Sequence, residues 1–423
     1  MEVLYKRCAG LDVHKDTVVA CARLAQGESA RARMETVTFG TTTRALLELS
    51  DWLTEREITH VVMESTGVYW KPVWHVLEGG FELVLGNAAY LRNVPGRKSD
   101  VADAAWLADL LAHGLVRASF VPVAEQAEVR DLTRMRKQCV REQTRQVQRM
   151  QKVLEDANIK LDSVISNITG KSGRAMLLAI IGGETDPAKL AALADGRLKA
   201  TPEALTEALR GKVTDHHRFM LKLHLDHYDA ICRQVETIDA RIETALEPIA
   251  DSVARLQTMP GVSEVAASAI VAEIGVDMGK FPSAGHLLSW AGLVPRMDES
   301  AGKRRDTRTR KGNPALKTML VQCAWSAVRT KKSYYKAKFH RIRARRGASK
   351  AIVAVAASML TAAYHILRDE TEHKDLGVDY FDQHDQAKAV KRLERRIREL
   401  GYEVQVSKAS GDGDGAADGR KTQ

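Results

Sequence analysis

Asp12, Glu64, Asp100 and Asp103 are the residues of this chain whose type and spacing could do chemistry. Asp12 lies in a strand-like run, CAGLDVHKDTVVACAR (8–23), and Glu64 closes a second apolar run, ITHVVMES (58–65). Asp100 and Asp103 are three apart in SDVADAAWLADLLAHG (99–114), a helical pattern in which an i, i+3 pair shares one face. Two strand-borne carboxylates facing such a pair can hold two hard cations. A pair of Mg²⁺ ions about 4 Å apart stabilises both the attacking and the leaving oxygen of a phosphoryl transfer. Magnesium takes carboxylate oxygens and keeps waters for the substrate. Singly, each acid is explained as well by solvation or capping, and Asp100 follows a candidate N-cap, Ser99. The combination points to a metal site. Asp12 sits among apolar residues, where an unpaired charge is costly, and ligands of open α/β sheets gather at strand ends.

The elements that must position these acids alternate strand and helix over 8–120. The run 8–23 and ARMETVTFG (32–40) read as the two strands of a hairpin, TTTRALLELSDWLTERE (41–57) as a helix with threonine caps, and ITHVVMES as the next strand. A helix from TGVYWKPVWHVLEGG, a strand from FELVLGNA and the acidic helix after PGRKSDVADA complete an α/β domain with a mixed sheet. From 124 to 250 strand signals stop. Val140, Gln143, Val147, Met150, Leu154, Ala157, Leu161 and Val164 step by three and four, as do Ile231, Val235, Ile238, Ile242, Ala245 and Ile249. These are two long amphipathic helices, fit for an antiparallel or an intersubunit coiled coil.

The chain has 423 residues, room for two or three domains. Lys and Arg number 64 against 54 Asp and Glu, a net charge of +10 that suits a nucleic-acid partner. None of the five cysteines is in CxxC spacing, which suggests neither a zinc knuckle nor a disulfide framework and points to reduced thiols in a cytoplasm. The N-terminus turns charged too early for a signal peptide. The apolar run 349–369 is diluted by Ser, Thr, Tyr and His, so it reads as a core helix and no membrane is expected.

Residues 251–368 form an α-rich unit that opens with LQTMPGVSEVAASAIVAEIG (256–275), similar to a helix-hairpin-helix element. Such a turn either holds a phosphate on backbone N–H groups or is an ordinary glycine turn between packed helices. The stretch from Lys303 to Lys311 holds six basic residues, Lys303, Arg304, Arg305, Arg308, Arg310 and Lys311, and one acid. Gly302 and Gly312 flank it and Gly292 precedes it, so it reads as a basic loop on a phosphate backbone. A second run, KKSYYKAKFHRIRARRGASK (331–350), has no acid and interleaves Tyr334, Tyr335 and Phe339, a pattern for stacking on bases as well as for charge. Ser300 precedes the basic loop, whose cations could stabilise a transferring phosphoryl group. By spacing alone it is one serine in a polar loop. HDQAKAVKRLERRIREL (384–400) reads as a basic amphipathic helix, and 407–423 lacks apolar periodicity and reads as disordered.

Two blocks of the chain resemble the DEDD transposases of bacterial insertion sequences, recombinases guided by a bridge RNA. The first runs through GLDVHKD, VVMESTGVYWKPVWHVLE and NAAYLRNVPGRKSDVADAAWLADLLAHG; the second runs from MPGV through GLVPRMDESAGKRRDTRTRKGNPALKTMLVQCAW. The resemblance implies an RNase H-type, RuvC-like domain over 1–123 and a helical coiled-coil dimerisation linker over 124–250. It further implies an α-rich transposase domain over 251–370, and a basic helix with a tail over 371–423. Asp12, Glu64, Asp100 and Asp103 match the four acidic positions, with Mg²⁺ as cofactor. Ser300 matches the nucleophilic serine, although Ala301 stands where the family has glycine. Ser289 and Ser283 are the fallback candidates, and Thr309 precedes the RKGN motif. Implied partners are donor and target DNA, a guide RNA, and further copies of the chain, a homodimer assembling into a tetramer. The alternative is a metal-dependent nuclease of junction-resolvase type that activates water and forms no serine intermediate.

Overall fold

In a computed structural model the chain is described over residues 3–25, 32–65, 67–87, 103–196, 198–295, 298–300, 303–306, 308–381 and 386–406. It forms two compact units, Met1–Pro122 and Val123–Gln423. Asp100, Ala301 and the tail 407–423 lie outside the described residues.

The first unit is built on a five-stranded mixed sheet in the order β3-β2-β1-β4-β5. Its strands are β1 (Arg7–Val13), β2 (Thr17–Leu24), β3 (Arg33–Gly40), β4 (His60–Glu64) and β5 (Glu82–Gly86). The first three are antiparallel; β4 joins β1 in parallel and β5 joins β4 in parallel. One expectation is corrected here. The run 8–23 is two strands, not one, because His14–Asp16 makes a tight turn closed by the His14 amide donating to the Thr17 carbonyl at 2.9 Å. Apolar residues on both sides of that polar triplet disguise it as one long strand.

Alternation along β1 and β4 divides the sheet into two faces. Ala9, Leu11, Val13, Val61 and Met63 join the core under α1 (Thr43–Glu55) and α2 (Trp70–Leu77). Cys8 and Val62 join Leu107, Leu110 and Leu111 of α3 (Asp103–Ala112) on the other face. Thr42 caps α1, its hydroxyl accepting from the Ala45 amide at 3.4 Å.

The second unit is helical. Its frame is α4 (Ala124–Asp156) and α6 (Asp215–Leu246), with α5 (Lys171–Ile181) and shorter helices between them. Arg136 bonds Asp239 at 3.0 Å, Gln143 bonds Cys232 at 3.2 Å and Gln146 meets His224 at 3.1 Å. Partner numbers fall as α4 advances, so the two helices pack antiparallel within the chain. The first periodic run was expected to continue to Val164. Instead α4 stops at Asp156, because Asn158 adopts the left-handed conformation at φ +57°. Leu161–Val164 is a separate turn of helix.

Next come α7 (Ala250–Gln257), α8 (Glu264–Ile274), α9 (Ala284–Ala291), α10 (Pro314–Ala327), α11 (Tyr334–Arg346), α12 (Ala348–Asp369) and α13 (Gln386–Glu399). Among the described residues α12 is the helix long and apolar enough to cross a membrane by length and composition. It buries Val355, Ala356, Met359, Leu360 and Ala363 completely, against a core that α9, α10 and α11 share.

Candidate active site

The first unit places Asp12, Glu64 and Asp103 on one side of its sheet. Gly10 and Asp12 are two apart on β1 and so face the same way. That face is the one α3 covers. A Cβ on Gly10 would stand 2.1 Å from the Ala104 carbonyl oxygen and 2.5 Å from the Ala108 nitrogen. The β1–β4 register pairs Leu11 with Met63, and one step further puts Asp12 beside Glu64, at the C-terminal ends of two parallel strands. Asp103 opens α3, one residue before the Ala104 that touches Gly10. Three of the four expected acids therefore come to one sheet edge by topology. The fourth, Asp100, falls in the segment outside the described residues.

Asp12 is in contact with a residue the spacing did not single out. His14 Nε2 lies 3.1 Å from Asp12 Oδ2, and the imidazole is exposed. The missed signal was the i+2 step along a strand that ends sooner than expected. Behind the acids, nearly buried Arg23 donates to Asp109 of α3 at 3.2 Å, tying β2 to the helix that carries Asp103. Cys8 is buried beneath the same helix, and that burial pushes its thiol up to about 12. It is a packing residue and not a nucleophile.

The donor chemistry fits a hard divalent cation, since all three acids offer carboxylate oxygens. Among the described residues no three acidic, histidine or cysteine side chains converge to ligand distance.

In the second unit, the first part of the basic stretch is a strand of a hairpin, while 308–311 keeps the expected loop conformation apart from a bridge at Thr309. β6 (Asp298–Ser300) pairs antiparallel with β7 (Lys303–Asp306), in a register that matches Ser300 with Lys303 and Glu299 with Arg304. The glycines were read as loop punctuation, but Gly292 and Gly312 flank the hairpin and form its base. At φ +71° and +52°, each fills the space where the other's Cβ would be. Pro295 bridges Thr309 just above them. Lys317 of α10 donates to the Gly292 carbonyl at 3.1 Å and to the Thr309 hydroxyl at 2.6 Å. Thr309 is thus part of the hairpin's support. Ser300 ends β6 opposite its partner Lys303, at the far end of the arm. Arg310 and Lys311 are exposed, and Arg308 is exposed beside them. The fallback serines lie elsewhere: Ser283 caps α9 and contacts His286 Nδ1 at 2.8 Å, and Ser289 lies within α9.

One open reading narrows and one expectation changes. Gly261, in the turn between α7 and α8 at φ +80°, lies against α10: a Cβ there would meet the Cys323 carbonyl oxygen at 2.5 Å. This favours the packed-turn reading of the helix-hairpin-helix resemblance at that glycine. The aromatics of 331–350 do not form a stacking surface. Tyr335 is 2% and Phe339 5% exposed, because an i, i+4 pair shares one helix face. Phe339 packs edge-on to Trp325, and Tyr335 stacks on His373. Tyr334 lies against Tyr380 and Phe381.

Sequence comparison gives the same two blocks. Residues 9–159 match a transposase family of DEDD type, and residues 253–340 match the transposase family of IS116, IS110 and IS902, together more than half of the chain. A "Probable family 20 transposase" of Pseudomonas aeruginosa is 26% identical over 56% of this chain and 61% of its own length. The "Transposase for insertion sequence element IS1328" of Yersinia enterocolitica is 32% identical over 25% of this chain and 31% of its own. The matches thus span less than two thirds of these relatives.

Proposed function

We propose that this chain, which belongs to the IS110-type DEDD transposases, moves an insertion sequence by cutting and rejoining DNA through Ser300. The observation that carries this reading is the alignment of Asp12, Glu64 and Asp103 at one edge of a mixed sheet. That is the position of the acids in an RNase H-type, RuvC-like nuclease domain. The family implies a divalent metal, and Mg²⁺ suits an all-carboxylate donor set. When bound, such an ion neutralises charge building on the transferring phosphoryl group.

The chain's own residues take the remaining tasks. The Ser300 hydroxyl attacks a DNA phosphorus, forming a Ser–O–P ester as the bond to one sugar oxygen breaks; the serine proton leaves and the sugar oxygen gains one. Attack by a hydroxyl of the second DNA strand reverses the exchange and frees Ser300, with no net loss of phosphodiester. Lys303, Arg304 and Arg305 of the arm follow that serine closely in sequence, as cations to counter the phosphoryl charge. Arg308, Arg310 and Lys311 at its base suit the flanking backbone.

Partners under this reading are donor and target DNA, and a guide RNA read by shape and backbone. The RNA part rests on the motif resemblance alone. The antiparallel α4–α6 frame offers a long surface for a second copy, with two dimers assembling into a tetramer around both DNAs.

The test is excision in cells carrying the whole element with its flanks, scored by amplifying the rejoined junction. Wild type, Ser300→Ala and Asp12→Ala are compared at matched protein levels. Loss in both variants supports a serine recombinase assisted by the acidic site. Product from Ser300→Ala but not from Asp12→Ala points to the competing nuclease that activates water.

A further inference from the structure

The buried carboxylate of Glu273 is not used by the chemistry above. It sits near the end of α8 and is 2% exposed. Arg134 of α4 holds it with a two-point fork, Nε to Oε1 at 2.8 Å and Nη2 to Oε2 at 2.9 Å. Arg130, one turn earlier, reaches Oε2 at 3.4 Å and also donates to the Glu273 and Ala272 carbonyls at 2.7 and 3.3 Å. Asn313 adds a further bond, its Nδ2 donating to Oε2 at 2.6 Å.

Asn313 has a second task. Its Oδ1 accepts from the Ala315 and Leu316 amides at 3.0 and 3.1 Å, capping α10. It directly follows Gly312, which seats the arm on Gly292. One side chain thus joins the base of the Ser300 arm to a carboxylate clamped by α4. A buried, multiply bonded ion cluster is costly to break, which gives the arm's base a fixed reference.

We propose that Glu273, acting through Asn313, is a positioning residue that sets the angle of the β6–β7 arm relative to α4. This rests on the reading of Ser300 as nucleophile. A serine held off line loses rate steeply, since ~1 Å of misplacement can cost about a hundredfold. The inference makes the Asn313 amide, and not only its cap oxygen, necessary for the reaction.

Asn313→Ser separates the two tasks. Serine keeps a good N-cap and removes the amide that reaches Glu273. Glu273→Gln is the companion variant: it keeps an acceptor for Asn313 and removes the charge. The full chain is measured for thermal midpoint, affinity for the element's end DNA, and excision in cells, with Ser300→Ala alongside. The expected result for Asn313→Ser is a modestly lower midpoint, because a buried carboxylate loses one partner, with unchanged affinity and excision down about tenfold or more, and a smaller loss of excision for Glu273→Gln. Wild-type excision from Asn313→Ser, with Ser300→Ala inactive, overturns the positioning role and leaves the serine reading intact. A lower midpoint together with an equal loss of affinity makes Asn313 merely structural and likewise overturns it. Product from Ser300→Ala removes the serine reading itself.

Discussion

Gly10 of β1 and Ala104 of α3 touch backbone to backbone: a Cβ on Gly10 would stand 2.1 Å from the Ala104 carbonyl oxygen. This close approach sets the distance between the strand that carries Asp12 and the helix that begins at Asp103. Gly10→Ala must push α3 off the sheet, because the obstacle is main chain and cannot rotate away. Overpacking of this kind costs about 1–3 kcal/mol. The expected outcome is a lower unfolding midpoint for the first unit and loss of excision. Ala104→Gly should not rescue it, since the carbonyl remains. A Gly10→Ala protein as stable and active as wild type would show that α3 does not rest on this glycine.

The acidic set should bind metal without DNA. A ligand that binds only the folded state raises the unfolding midpoint by mass action. Titrating Mg²⁺ or Mn²⁺ into chelator-treated protein should raise the midpoint of wild type and leave Asp12→Asn and Asp103→Asn unmoved. In the absence of metal those variants should unfold close to wild type, because asparagine keeps the size and shape of the aspartate it replaces. Equal metal-induced shifts in all three proteins would place the metal elsewhere.

How far the sequence foretold this arrangement depends on what each signal is made of. The acids were legible because a charge inside an apolar strand or at its end breaks a strong local pattern. Glu64 at the close of ITHVVMES is such a break. His14 was missed because its contact with Asp12 requires a strand end that the flanking apolar residues hide. The aromatics of α11 were misread because Tyr335 and Phe339 were counted as neighbours of cations, when their spacing of four already put them on a common face. Glu273, Asn313 and Lys317 carried no local signal. Their partners are 139, 40 and 25 residues away in the chain, and such pairings exist only once the helices have packed.

Exposed Arg310 and Lys311 lie at the foot of the arm. If they meet phosphates, replacing both by Glu should weaken binding to all sequences alike. The slope of log affinity against log salt should flatten by about 0.9 for each phosphate no longer neutralised. Binding measured from low to moderate salt on two unrelated duplexes checks this. An unchanged slope, or a weakening confined to one sequence, would count against backbone binding at these residues.

The burial of Phe339 separates a packed side of α11 from its exposed basic last turn. Its inner face is core, so Phe339→Ala should cost about 3–5 kcal/mol. Phe339→Leu keeps most of the apolar volume and should retain both stability and nucleic-acid affinity. Had the ring stacked on a base, its removal would cost about 1–3 kcal/mol of binding even in a stable protein. The helix's last turn is cationic, with Arg345 and Arg346 exposed. Replacing that pair by Ala should leave the unfolding midpoint in place and lower affinity in a salt-dependent way, because the core packing is untouched. Thermal unfolding and binding isotherms on the three variants decide the matter. A stable Phe339→Leu protein with impaired binding would restore the stacking role to this helix, whereas impaired binding confined to the arginine variant assigns the interaction to charge.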